Sequence, residues 1–344
     1  MRTDTKMGLG YILELATGHY KAKTLFVATR LRVFNVVASG PKSLDEIAAT
    51  LGIGERPAAM LLNACVSLGL LEKKGGLYRN SRTASLYLVE GAKNFLGPAF
   101  FKFDDHSYLL FDKLEDAILT DSHQLPVENP EEPDLLASCM QIDNRKDYES
   151  FLRSLDPIAE WPANHIAANF DFSRYSKIVD IGGGSGAYSR AIVKKNPNIQ
   201  AVIFDLPHVC EFLEGFVTGD ELSERIQCYS GNFLHDKFPE GMDLAFLSNI
   251  LHGFGPEQCE FILKRVFDAL PSKGGVIIND LILDEDGCGP ELSVLLSFYF
   301  LLITEKGRNY TASEYKAMLE NAGFTDIHSH SSSADTKYIA AIKP

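Results

Sequence analysis

The segment VDIGGGSGAYSRAI (179–192) constrains this chain more than any other. An apolar run that stops at clustered glycines and resumes as an amphipathic pattern reads as a strand, a sharp turn and a helix. Glycines let the backbone turn tightly and leave bare peptide where a ligand can lie. The flanking sequence repeats the plan. KIVDIG and QAVIFDLP are short apolar strands, with SGAYSRAIVKKNP between them as a helix. MDLAFLSNIL is a strand, PEQCEFILKRVFDAL a helix, GGVIINDLIL a strand, and TASEYKAMLENAGF a capped helix ending at Gly323. TDIHSHSSSADTKYIAAIKP reads as two strands joined by a polar turn. The expected fold class is α/β, a doubly wound parallel sheet with an antiparallel edge.

The N-terminal part has a different texture, and 344 residues exceed one core, so two domains are expected. Leu9, Ile12, Leu13 and Ala16, then Leu25, Ala28 and Leu31, have helical spacing, with a break near Gly18. Over 41–84, Ser43 and Glu46 form a capping-box pattern, Gly52 ends that helix, and a second runs from about Arg56 to Leu68. LLEKKGGLYRNS then has the alternation and central Gly-Gly of a hairpin. Helix, turn, helix and hairpin make a winged-helix plan. Its second helix offers a DNA base only Arg56 and Asn63, and the net charge is −13. Phosphate binding needs clustered Lys and Arg, so no nucleic-acid partner is expected and a packing or dimerisation module is. The domain boundaries read as 1–98 for this module and 99–344 for the rest. Within the latter, 99–170 is a helical, aromatic connector holding a Pro-rich acidic loop (TDSHQLPVENPEEPD), and 171–344 is the sheet.

Six cysteines (65, 139, 210, 228, 259, 288) show no CxxC pair and read as free thiols in a reducing compartment. MRTDTKMGLG lacks the apolar stretch of a signal peptide. LSVLLSFYFLLI (292–303) is shorter than the ~20 residues of a membrane span and reads as a buried helix. The expected protein is cytoplasmic, without a membrane partner. Nine histidines form no ligand pattern, so no metal is expected.

The glycine turn admits two ligands. Gly182, Gly184 and Ala187 fit the loose GxGxx(G/A) of dinucleotide binders. Asp180, Gly182, Gly184 and Gly186 fit DxGxGxG, used for S-adenosylmethionine (SAM), whose cationic sulfonium suits an acidic site. Asp205, ending the next strand, can take both hydroxyls of a ribose in either case. In SNILHGFGPE, His252 ends an apolar run; a histidine there is more often structural than catalytic.

VDIGGGSG, FDLPHV, LHGFGPEQC, ALPSKGGVIINDLIL and YTASEYKAMLENAGF occur in an order and spacing that resembles the hydroxyindole/caffeate-type SAM-dependent O-methyltransferases. The resemblance runs the length of the chain. It implies a winged-helix dimerisation domain on a class I methyltransferase sheet, a homodimer, SAM as cofactor and a small aromatic acceptor. It places Asp180, Gly182, Gly184, Gly186, Asp205, Leu206, Asn232, Phe233 and Ser248 around the cofactor. Asn232 stands where the family has an acid, its carbonyl left to accept from the adenine amino group; Ser248 stands where plant relatives have a lysine. His252 corresponds to the family's general base and Asp280 to an acid that orients it. Asn309 occupies the place of a second acid and cannot carry its charge. Tyr108, Phe111, Phe151, Leu155, Trp161 and Phe298 to Leu302 are the expected acceptor wall. The rival functions are C-methylation on a related scaffold, a winged-helix regulator sensing SAM, and an NAD-dependent oxidoreductase.

Overall fold

The computed structural model describes residues 8–125, 145–217, 222, 224–331 and 337–344. The chain divides into two compact units, with the boundary between Asp105 and His106.

In the first unit, helices Leu9–Ala16 and Gly18–Arg30 break at Thr17, and Val33–Val36 follows. Ser43 caps helix Leu44–Leu51 in a full capping box with Glu46, and Gly52 ends it in the left-handed conformation. Helix Glu55–Ser67 leads into the hairpin of β1 (Leu71–Lys74) and β2 (Leu77–Asn80), turned by Gly75 and Gly76 at φ 59° and 81°. The core gathers Phe34, Ile47, Leu62, Leu71 and Tyr78. Asn63, one of two candidate base readers, accepts from Tyr78 Oη at 3.0 Å and Lys73 Nζ at 3.2 Å, which ties the helix to the hairpin. No residue of helix Leu9–Ala16 is buried, and Leu9, Ile12, Leu13 and Leu15 are exposed.

The second unit holds a seven-stranded sheet in the order β5-β4-β3-β6-β7-β9-β8. Its strands are β3 (Lys177–Ile181), β4 (Gln200–Asp205), β5 (Ile226–Ser230), β6 (Leu244–Ser248), β7 (Gly275–Asp280), β8 (Thr325–Ser331) and β9 (Lys337–Ile342). β3 to β7 are parallel, and β9 and β8 close one edge antiparallel. Because side chains alternate, each inner strand feeds two cores. Val179, Ile181, Phe204, Leu247 and Ile278 face helices Pro256–Ala269 and Ala312–Ala322. Ile178, Ile203, Phe246 and Ile277 face the long helix Arg145–Asn169 and helices Ala187–Lys195 and Pro207–Val217.

Several sequence expectations are corrected here. The stretch MDLAFLSNIL is strand only to Ser248: Asn249 takes φ 55° and steers the chain off the sheet, so His252 lies in the 3₁₀ turn Leu251–Gly253. Cys210 and Cys228 form a disulfide rather than two free thiols. Cys210 lies on helix Pro207–Val217 and Cys228 on β5, with their Cα atoms 5.5 Å apart. Cys65 and Cys259 are free and buried, and Cys139 lies outside the described residues. Helix Glu291–Ile303 buries Ser293, Phe300, Leu302 and Ile303 but leaves Leu292, Leu295 and Phe298 exposed. The acidic Pro-rich loop from 126 onward and the polar turn at 332–336 also lie outside the described residues. Among the described residues no helix is long and apolar enough to cross a membrane.

Candidate active site

Asp205, Ser248 and Asp280 are each the last residue of a parallel strand, so the carboxyl ends of β4, β6 and β7 present them along one edge of the sheet. The strand order reverses between β3 and β6, and the crevice of an open α/β sheet opens at such a point. A cavity of about 420 Å³ lies there.

The glycine turn forms one wall. Gly182 sits at φ 66° with its N–H on Phe204 O at 2.8 Å, and a Cβ there would fall 2.4 Å from Ile250 Cδ1. Gly184, at φ 55°, donates its N–H to Asp205 Oδ2 at 2.8 Å, while Leu206 N–H donates to Oδ1 at 2.8 Å. Asp205 is thereby held across the turn it must face. Asp180 accepts from Ser189 Oγ at 2.6 Å, and burial pushes its carboxyl up to about 6. The Ser189 hydroxyl opposes that rise and the Asp205 charge adds to it. A third carboxylate, Asp156 of the long helix, receives Ser185 Oγ and pairs with Arg190 Nη2 at 2.6 Å. Burial raises it against the pull of Arg190.

At the far end, His252 Nδ1 lies 2.6 Å from Asp280 Oδ1, and its ring stacks on Phe300 with centroids 4.2 Å apart. Asp280 is 1% exposed and takes two further hydrogen bonds, from Leu281 N–H to Oδ1 and from Tyr315 Oη to Oδ2, both 2.8 Å. An ionised carboxylate only accepts, so His252 Nδ1 carries the hydrogen and Nε2 is the basic nitrogen. His252 lines the cavity and Asp280 stands behind it.

Of the residues singled out in the sequence, Asp180, Gly182, Gly184, Asp205, Leu206, Asn232, Phe233, Ser248, His252 and Leu155 line the cavity. Asn232 Oδ1 already accepts from Leu234 N–H at 2.9 Å, so one lone pair is left for a ligand. Ser248 Oγ accepts from Asn279 Nδ2 at 3.0 Å. Gly186 caps helix Ala187–Lys195 instead, where a Cβ would meet Ile203 Cδ1 at 2.5 Å. Asn309 is not on the cavity wall: its Nδ2 donates to Ser293 O at 2.6 Å and its N–H to Ser297 Oγ at 3.3 Å.

Tyr108, Phe111, Phe151, Trp161, Phe298 and Leu302 are absent from the wall as well. Phe151 and Leu302 are core, and Trp161 is 57% exposed and stacked on His165. Tyr299 and Phe300, within the expected stretch Phe298 to Leu302, do line the cavity, and Tyr148, Tyr188 and Phe254 join them there. On the long helix the lining residues Tyr148, Leu152, Leu155 and Ala159 recur at steps of three and four, a one-face signal present in the sequence. Asp156, beside that stripe, carried no signal of its own.

Among the described residues, the wall holds three carboxylates (Asp156, Asp180, Asp205) and no Lys or Arg. That donor set suits a cationic ligand with a ribose and opposes the pyrophosphate of a dinucleotide. No three His, Cys, Asp or Glu side chains among the described residues gather as metal ligands.

Comparison with known proteins agrees with this geometry. Residues 112–325 match the model of the O-methyltransferase domain, and residues 13–90 that of the O-methyltransferase dimerisation domain. The 3-hydroxy-5-methyl-1-naphthoate 3-O-methyltransferase of Streptomyces sahachiroi is 35% identical over 92% of this chain and 89% of its own. The acetylserotonin O-methyltransferase of Bos taurus is 33% identical over 93% and 94%. The crystal structure of human N-acetylserotonin methyltransferase in complex with SAM superposes with a TM-score of 0.87 at 27% identity, covering 99% of each chain.

Proposed function

As the chain belongs to the SAM-dependent O-methyltransferase family, we propose that it methylates a hydroxyl of a small aromatic acceptor with His252 as general base. The observation that carries this reading is the His252–Asp280 pair at the cavity wall, 2.6 Å between Nδ1 and Oδ1. When bound, SAM supplies an electrophilic methyl group on a sulfonium. Asp205 is set to take the ribose hydroxyls, and Asn232 and Phe233 the adenine edge and face. Gly182 and the Asp156–Asp180 side of the turn would meet the cationic amino-acid end. His252 Nε2 takes the acceptor's hydroxyl proton, and Asp280 stabilises the imidazolium that results. Phe254, Tyr299, Phe300 and Ile303 offer a flat apolar acceptor its contacts and keep water from the base. Hydroxynaphthoate and acetylserotonin, the acceptors in the relatives' names, are flat aromatics of the kind this wall suits. The exposed apolar face of helix Leu9–Ala16, in a unit matching the dimerisation domain, supports a homodimer formed through the N-terminal unit.

A panel of phenols, with hydroxynaphthoates and N-acetylserotonin among them, incubated with methyl-labelled SAM tests the reading. His252→Ala should cut turnover of the responding acceptor by ~10²–10⁴ and leave SAM affinity intact. The loss should shrink as pH rises through the acceptor's own pKa, because a phenolate needs no base. Wild-type turnover by His252→Ala at neutral pH would refute the general-base role.

A further inference from the structure

The place of the family's second acid is taken by Asn309, whose Nδ2 donates to Ser293 O and whose Oδ1 has no hydrogen-bond partner among the described residues, so the His252–Asp280 pair draws its remaining support from elsewhere. Asp280 Oδ2 receives the hydroxyl of Tyr315, from helix Ala312–Ala322. The Tyr315 ring is fully buried, packs edge-on against Tyr310 with centroids 5.4 Å apart, and does not reach the cavity. A phenylalanine would fill the same space, so the hydroxyl's one evident task is the carboxylate it touches.

We propose that Tyr315 is a positioning residue for the methyl transfer, holding Asp280 ionised and aimed at His252 so that Nε2 stays the basic nitrogen. The proposal rests on the general-base reading of His252. Its direction follows from counting protons on the pair. With one proton fewer, the pair is a neutral imidazole beside a bare buried carboxylate, the state in which the Tyr315 hydrogen bond is strongest. With one proton more, the negative charge is compensated or gone, wherever that proton sits, and the bond is worth less. Tyr315 therefore favours the active, deprotonated pair. The other titratable groups facing this cluster are Cys259 of helix Pro256–Ala269, Tyr310, and Tyr188 of helix Ala187–Lys195. Arg308, paired with Glu314, lies over the Tyr310 ring at 4.3 Å from its centroid and adds a fixed charge that acts on Tyr310 and Tyr315. Burial pushes Cys259 up to about 12 and raises Tyr310 and Tyr188, so none of them changes charge near neutrality.

Two readouts on the full-length enzyme test this. In ¹⁵N-histidine-labelled protein, the His252 signal is identified by its loss in His252→Ala. Tyr315→Phe should move that imidazole's titration midpoint up by about one pH unit, the share of a charge-assisted hydrogen bond that differs between the two states. The acidic limb of kcat for the responding phenol should move up with it, with KM for SAM unchanged. Placing 3-fluorotyrosine at 315, a better donor that keeps the ring, should move both the other way, and it serves if Tyr315→Phe folds poorly. In an Asp280→Asn background the effect of Tyr315→Phe should vanish. A midpoint unmoved by either replacement, or a shift that persists without the Asp280 carboxylate, would overturn the proposal. A midpoint that moves while the rate profile does not would leave the support of Asp280 standing and overturn the base role of His252 instead.

Discussion

Asp180 should make the ligand-free protein less stable at neutral pH than at pH 4.5. Its folded pKa is pushed up to about 6 from an ordinary 3.8, chiefly by burial. A raised carboxylate means the native state binds the proton more tightly than the unfolded chain, so stability falls as pH climbs between the two values. Integrating the linkage from pH 4.5 to 7.5 gives a loss of about 2 kcal/mol for this one group. Asp180→Asn removes it while keeping an acceptor for Ser189 Oγ. The assay is urea unfolding of wild type and Asp180→Asn at each pH, read as a difference so that all other titrations cancel. The variant should gain about 2 kcal/mol on wild type across that range, through a sigmoid centred between pH 4 and 6. A difference that is flat with pH would show that Asp180 is not the strained acid described. A cationic cofactor should pull the proton off, so SAM affinity of the wild type should weaken below pH ~6 and that of Asp180→Asn should not.

Two changes probe the same wall by calorimetry with SAM. Asp205→Ala should weaken binding by about 1.5–3 kcal/mol, the worth of hydrogen bonds to a charged group, and wild-type affinity would remove Asp205 from the ribose site. Gly182→Ala meets both a positive φ and Ile250 Cδ1 at 2.4 Å, so it should lower stability by about 1–3 kcal/mol and abolish detectable binding. An unaltered melting transition would contradict the packing described.

The parts of this fold legible in the sequence are those where local chemistry and tertiary demand coincide. Ser43 with Glu46, Gly52, and the Gly75–Gly76 turn are such cases, since caps and turns need particular residues whatever packs around them. β5 was missed because an edge strand with one fully buried residue shows no alternation to read, and helix Pro207–Val217 was passed over with it. Cys210 and Cys228 meet only where helix Pro207–Val217 lies against β5, two elements the sequence does not announce, so their bond is not legible either. Helix Glu291–Ile303 failed differently. Being apolar on every side, it has no periodicity to tell faces apart, so the stretch Phe298 to Leu302 includes the lining Tyr299 and Phe300 along with Phe298 and Leu302, which do not line the cavity, and leaves out Leu296 and Ile303, which do. On the site itself, the residues alone suggested the glycine turn and Asp205. The expected roles of His252 and of Asp280 as its orienting acid rest on resemblance, and the structure adds the distance between them, 2.6 Å from Nδ1 to Oδ1.

The distribution of charge in the cavity fits what methyl transfer from sulfonium to phenolate requires. That reaction destroys charge, so carboxylates crowded on the reacting atoms would stabilise the reactants more than the transition state. The three lining carboxylates stand at β3, at β4 and on the long helix, grouped around the glycine turn. There they can hold the ribose and the ammonium group of the cofactor. Beside His252 the wall is Phe254, Phe300 and Ile303, and the nearest acid, Asp280, lies behind the imidazole with its oxygens spent on His252, Leu281 and Tyr315. On the proposed general-base reading, its charge would reach an acceptor only through the imidazole. The parallel register does this sorting: strands ending level along one edge set Asp180 and Asp205 on β3 and β4, and Asp280, the partner of His252, two strands away from β3 on β7.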